Sequence, residues 1–154
     1  MKTEFIAEFL NKTSALLSEV KTEQLENLAQ RIINVSHNGK KVIIAGNGGS
    51  AAMASHVAVD FTKTCDVRAI NFNEADLITC FANDYGYENW LEKAIEFYSD
   101  QGDLIILISS SGKSKNIINA AKKSLLKNLD LVTFSGFSSS NPLNSMGIQN
   151  FHVN

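Results

Sequence analysis

Three short stretches hold the residues whose types and spacing could do chemistry. The first is GNGGSAAMASH (46–56), set directly behind the apolar run KVIIA (41–45). Side chains are given up where a strand should end, either for a tight turn or for close approach of a ligand to the backbone. Asn47, Gly48 and Ser50 stand in that turn, and His56 and Asp60 follow at i and i+4 on one helix face. A histidine and a carboxylate one turn apart can hold a divalent metal or move a proton, and the same spacing equally suits a local side-chain hydrogen bond. The second stretch is SSSGKS (109–114) behind LIILIS (104–109). Ser109, Ser110, Ser111 and Ser114 around Gly112 make a cup of hydroxyl and amide donors suited to a phosphate, although such a turn alone more often only caps a helix. The third is ANDYGYENW (82–90). Asn83, Asp84 and Gly86 read as a turn between two helical patterns, with Tyr85, Tyr87 and Trp90 interleaved. Either the aromatics pack a helix–turn–helix join, or a polar loop reaches the hydroxyls of a sugar.

The elements that must position these residues are legible from periodicity. Runs without polar alternation at 41–46, 67–72, 104–109, 131–136 and 151–153 suit strands covered on both faces, and helical patterns at 50–63, 74–82, 87–99 and 114–127 lie between them. This predicts a doubly wound α/β fold with a parallel sheet of about five strands. In such sheets ligands bind beyond the carboxyl ends of the strands, where both glycine-containing turns lie. The first 38 residues read as two leading helices. One carries Phe5, Phe9, Leu16, Leu17 and Val20; the other carries Leu25, Leu28, Ile32 and Val35 behind Thr22 as N-cap and ends at Asn38-Gly39. A dinucleotide site is the rival for the first turn, since Gly46, Gly48 and Ala51 fit G-x-G-x-x-A and Glu74 lies where a ribose-binding acid would. It leaves SSSGKS unexplained and little chain for a substrate lobe. A phosphate ester between two turns is preferred, with no nucleotide cofactor.

Composition narrows the classes. The chain has 154 residues, enough for one domain over 1–154, and a formal charge of −2 that gives no argument for nucleic acid or an anionic membrane. Lys113, Lys115, Lys122, Lys123 and Lys127 read as a solvated helix face. Cys65 and Cys80 lack metal or disulfide spacing and are expected as free thiols. The N-terminus has no signal-peptide core and no apolar run approaches the roughly 20 residues of a membrane span, so the cytoplasm is the expected compartment.

Together, GNGGSAAMASH, FANDYGYENW and GDLIILISSSGKSKNII resemble the sugar isomerase (SIS) domain, specifically the phosphoheptose isomerases. The resemblance covers nearly the whole chain, the leading helices included. It implies a flavodoxin-like sandwich, a homotetramer built partly by residues 1–38, and active sites at subunit interfaces. The implied reaction interconverts sedoheptulose 7-phosphate and a heptose 7-phosphate for lipopolysaccharide or capsule. By motif, Ser109, Ser110, Ser111 and Ser114 would bind phosphate; Asn47, Gly48 and Ser50 would line the sugar, with Asn83 and Asp84 nearby. His56 and Asp60 would be the first two ligands of zinc or another divalent metal, and Asp60 would double as base.

The sequence departs from that pattern at three places. Asp60 stands where the family has Glu, the segment 62–68 is shorter, with Lys63-Thr64 where an arginine usually follows, and the sequence stops at Asn154, before the family's C-terminal helix with its Gln and His ligands. A fragment of a longer isomerase is therefore expected. The alternative is a non-catalytic SIS module that binds a sugar phosphate or a protein, as relatives that bind the replication initiator DnaA do.

Overall fold

The continuous apolar runs become the strands of one parallel sheet. The computed structural model describes residues 2–154, with side chains from Glu4 onward. In chain order the elements are α1 (Lys2–Ser18), α2 (Thr22–His37), β1 (Val42–Gly46), α3 (Gly49–Cys65), β2 (Ala69–Ile70), α4 (Ala75–Tyr85), α5 (Trp90–Tyr98), β3 (Leu104–Ser109), α6 (Lys115–Leu126), β4 (Asp130–Gly136), a 3-10 turn (Pro142–Ser145) and β5 (Gln149–Val153). The strand order is β2-β1-β3-β4-β5, every pair parallel. This is the flavodoxin-like order expected from the sequence, and its direction of winding reverses between β1 and β3. The two glycine-containing turns follow those two strands.

Alternation along the strands sorts two apolar layers. Ile43, Ile105, Leu107 and Leu131 face α5 and α6, where Leu91, Ile95, Ile117 and Ala121 are fully buried. Val42, Ile44, Leu104, Ile106 and Val132 face α2 and α3, against Val35, Ala54 and Ala58. On this second face a cleft of about 610 Å³ remains, lined by Leu28, Met53, Val57, Phe61, Ile106 and Phe134, with His56 at its rim. Most of the apolar stripe of α1 is open: Phe5, Ile6, Phe9, Leu10 and Leu17 are all more than half exposed, and Leu16 is half-buried.

A charged brace ties the amino ends of β1 and β3. Lys41 Nζ lies 2.7 Å from Asp100 and 2.6 Å from the buried Asp103. Asp103 also accepts the amides of Lys41 (3.0 Å) and Asp100 (2.7 Å). Burial opposes the Lys41 charge, but the hydrogen bonds to the two carboxylates outweigh it and hold the amine above its ordinary value.

Four local expectations need correction. Thr22 is the first residue of α2, not its cap; Lys21 holds the extended cap position, and its carbonyl accepts the amides of Gln24 and Leu25. Asn83 and Asp84 belong to the last turn of α4, which runs to Tyr85 before Gly86 ends it at φ +84°. β2 is two residues long rather than six, because only Ala69 and Ile70 find partners in β1. Lys123 and Lys127 are not simply solvated. Lys123 pairs with Glu96 at 3.3 Å, and Lys127 donates to the carbonyls of Glu96 (2.8 Å) and Ser99 (3.2 Å), while Lys113, Lys115 and Lys122 are exposed. Cys65 and Cys80 are free and exposed. Among the described residues no helix is long and apolar enough to cross a membrane.

Candidate active site

At the end of β1 the chain turns through Asn47 and Gly48. Gly48 adopts φ +53°, ψ −120°, a conformation that a side chain would strain, and it opens α3 without contributing a capping group. The Ser50 amide donates back to the Asn47 carbonyl at 3.0 Å, which closes the turn. The Asn47 carboxamide makes a reciprocal pair with Asn116 in the first turn of α6: Asn47 Nδ2 donates to Asn116 Oδ1 at 2.9 Å, and Asn116 Nδ2 donates to Asn47 Oδ1 at 2.8 Å. The Tyr87 hydroxyl donates to the same Asn47 Oδ1 at 3.5 Å. One helical turn on, Asn119 Nδ2 donates to the Glu88 carbonyl and to Asn89 Oδ1, at 3.0 and 3.1 Å. The first stretch, the third stretch and the start of α6 are thus clasped together by amides.

The serine turn after β3 keeps the Ser114 hydroxyl off the helix it opens. Ser114 occupies the cap position of α6 with extended backbone, yet its hydroxyl caps no amide of the helix; it lies 3.5 Å from the hydroxyl of the buried Ser109. The α6 amides that a capping side chain would otherwise take are left free of one, with the positive end of the helix behind them. Ser111 Oγ accepts the Lys113 amide at 3.2 Å, and the Ser110 carbonyl accepts the Gly136 amide at 2.9 Å, which ties the turn to β4. Gly112 sits at φ +60° with its missing Cβ directed into the buried side chain of Asn141. Asn141 Nδ2 in turn donates to Ser135 Oγ at 3.1 Å, and Ser135 Oγ lies 3.2 Å from His152 Nδ1. By register, Ser109, Ser135 and His152 form one row across the carboxyl ends of β3, β4 and β5.

The histidine–carboxylate pair forms as its spacing predicts. His56 Nε2 and Asp60 Oδ2 are 3.4 Å apart, with side chains 81% and 57% exposed. Both residues lie further along α3 than the turn that opens it, Asp60 the further of the two. Ten residues separate Ser50 from Asp60, or about 15 Å along α3. A seven-carbon chain with C–C bonds of about 1.5 Å reaches only about 10 Å. As a metal centre the pair supplies one nitrogen and one oxygen, and among the described residues no group of three His, Cys, Asp or Glu side chains converges. A zinc site needs about four ligands. The residues present do not by themselves fit that metal.

Asn83 and Asp84 keep to their own helix: Asn83 Nδ2 donates to Asp84 Oδ1 at 2.9 Å, and the Cys80 thiol lies 3.9 Å from Asp84. Sequence reasoning missed Asn116 and Asn141. An asparagine two residues into an otherwise apolar-faced helix, and an Asn-Pro step at 141–142, were the signals available.

Comparison with known proteins identifies the family. A family model described as SIS domain matches residues 8–136. A phosphoheptose isomerase of Fusobacterium nucleatum is 39% identical over 140 residues, which cover 88% of this chain and 70% of that protein. A phosphoheptose isomerase of Aliarcobacter butzleri is 36% identical over 130 residues, covering 79% and 69%. Among solved structures, a phosphoheptose isomerase of Neisseria gonorrhoeae superposes with a TM-score of 0.84 at 25% identity, covering 98% of this chain and 86% of that one.

Proposed function

Since this chain belongs to the SIS domain family, with phosphoheptose isomerases as its relatives, we propose that it interconverts sedoheptulose 7-phosphate and D-glycero-D-manno-heptose 7-phosphate. The observation that carries the reading is the serine turn, where Ser114 stands at the start of α6 without spending its hydroxyl on the helix. Ser109, Ser110, Ser111 and Ser114 would hold the phosphate, and Asn47, Gly48 and Ser50 the sugar.

The chemistry follows from what such a site must do. A base takes the proton from C1 of the ketose; the C–H electron pair becomes the C1=C2 bond, and the carbonyl pair moves onto O2. The resulting enediolate is then reprotonated at C2, O2 gains a proton, and loss of the O1 proton leaves the aldehyde. Fixed donors lower the barrier by meeting the charge that grows on oxygen. Asp60 is the assigned base, with His56 beside it to take up or return a proton. The distance along α3 supports an assembly in which this pair serves the cup of a neighbouring copy. The exposed apolar stripe of α1 supports a homo-oligomer, a tetramer in keeping with the family. The product would supply nucleotide-activated heptose for lipopolysaccharide or capsule, in the cytoplasm.

One observation favours a second reading, a sugar-phosphate-binding module without turnover: His56 and Asp60 lie open to water rather than in a dry cleft. Incubation with sedoheptulose 7-phosphate, with and without added zinc, separates the two. Appearance of the aldose heptose phosphate supports the isomerase. Thermal stabilisation by the sugar phosphate with no aldose formed supports the binding module.

A further inference from the structure

We infer that Asn116 is a positioning residue that fixes Asn47 as a hydrogen-bond donor to an oxygen of the sugar. The inference rests on the reading above, in which Asn47 lines the sugar. A carboxamide has two N–H donors and one oxygen with two lone pairs. The reciprocal pair with Asn116 consumes one of each, at 2.9 and 2.8 Å, and the Tyr87 hydroxyl takes the second lone pair at 3.5 Å. What Asn47 retains is a single N–H. It is therefore set to give a hydrogen bond to a ligand oxygen rather than to accept one.

Asn116 is 2% exposed and sits on α6, so its orientation is set by packing rather than by ligand. Without it the half-exposed Asn47 amide could rotate and present its oxygen. In an enediol reaction that difference matters. A donor held in place stabilises an oxygen that gains negative charge, and an acceptor in the same place opposes it. The clasp also carries the link between the sugar turn and the phosphate turn, because Asn116 lies two residues beyond Ser114.

The test is a double-mutant cycle between Asn116→Asp and Asn47→Ala in the full chain, read by kcat and by the affinity for inorganic phosphate. The Asn116→Asp carboxylate can accept from Asn47 but cannot donate to it. Expected are a fall in kcat of roughly 10- to 100-fold, phosphate affinity within about twofold, and no further loss when Asn116→Asp is added to Asn47→Ala. Equal losses in both backgrounds would mean that Asn116 acts through the helix alone, and would overturn the proposal. Asn116→Ser, smaller and still polar, enters the same cycle if the aspartate variant does not fold. Failure of the underlying reading shows earlier and separately: unaltered protein that neither binds nor converts sedoheptulose 7-phosphate overturns both.

Discussion

The Cβ that Gly112 lacks would fall on the side chain of Asn141, which is 3% exposed and held by Ser135, Gly136 and Ser138. The serine turn is thus braced from behind by the loop after β4. That arrangement explains why the serine run is interrupted by glycine where it is.

Replacing Gly112 with alanine combines a left-handed backbone with a clash against a neighbour that cannot move. The expected cost is about 2–4 kcal/mol, seen as a melting temperature lower by roughly 5–10 °C. Affinity for inorganic phosphate should fall with it. Gly49 has nothing within 4 Å of its Cβ position and no positive φ, so Gly49→Ala is the control for a glycine in the other turn.

The brace at the far end of the sheet governs stability rather than chemistry. Asp103→Asn leaves Lys41 with Asp100 as its remaining carboxylate partner and is expected to cost about 1–3 kcal/mol in denaturant unfolding, with the affinity for phosphate unchanged. Its pH signature has a definite sign. Lys41 is held above 10.5, so its contribution is complete below that value and is lost as pH rises through the higher folded one. Asp100 is held below 3.8 by its hydrogen bond and charge contact with Lys41, so its contribution is present above 3.8 and lost as pH falls through the lower folded value. Melting curves of the unaltered and Asp100→Asn proteins should therefore converge at strongly acidic pH, and again at strongly alkaline pH where Lys41 loses its charge.

The α1 stripe and the reach of α3 lead to one joint expectation. Phe5→Ser with Phe9→Ser should lower the assembled mass in light scattering and reduce turnover at least 10-fold, while inorganic phosphate still binds. Turnover kept by a monomer would show that Asp60 works on its own chain.

Much of this was legible in the sequence because it follows from burial. LIILIS and KVIIAG are buried on both faces, so their continuous apolar character identified the central strands directly. The two turns were legible because glycine and serine have specific uses at strand ends. What the sequence did not reveal depends on partners far along the chain. The Asn47–Asn116 clasp joins residues 69 positions apart, and no local pattern announces it. His152 looked like an ordinary strand residue until register set it beside Ser135. Thr22 and Asn83 were misplaced by a residue or two, because helix ends are decided by which carbonyl takes the first bond and where a left-handed residue stops the last turn.

The most direct test of the central claim is proton exchange at carbon. Sedoheptulose 7-phosphate is held with the protein in deuterated water and followed by NMR, beside the Asp60→Asn variant. The isomerase account predicts deuterium entering at C1 of the recovered ketose or C2 of the aldose, with a loss of roughly 100-fold or more in the variant. Sugar phosphate that binds yet gains neither deuterium nor an aldehyde would contradict it.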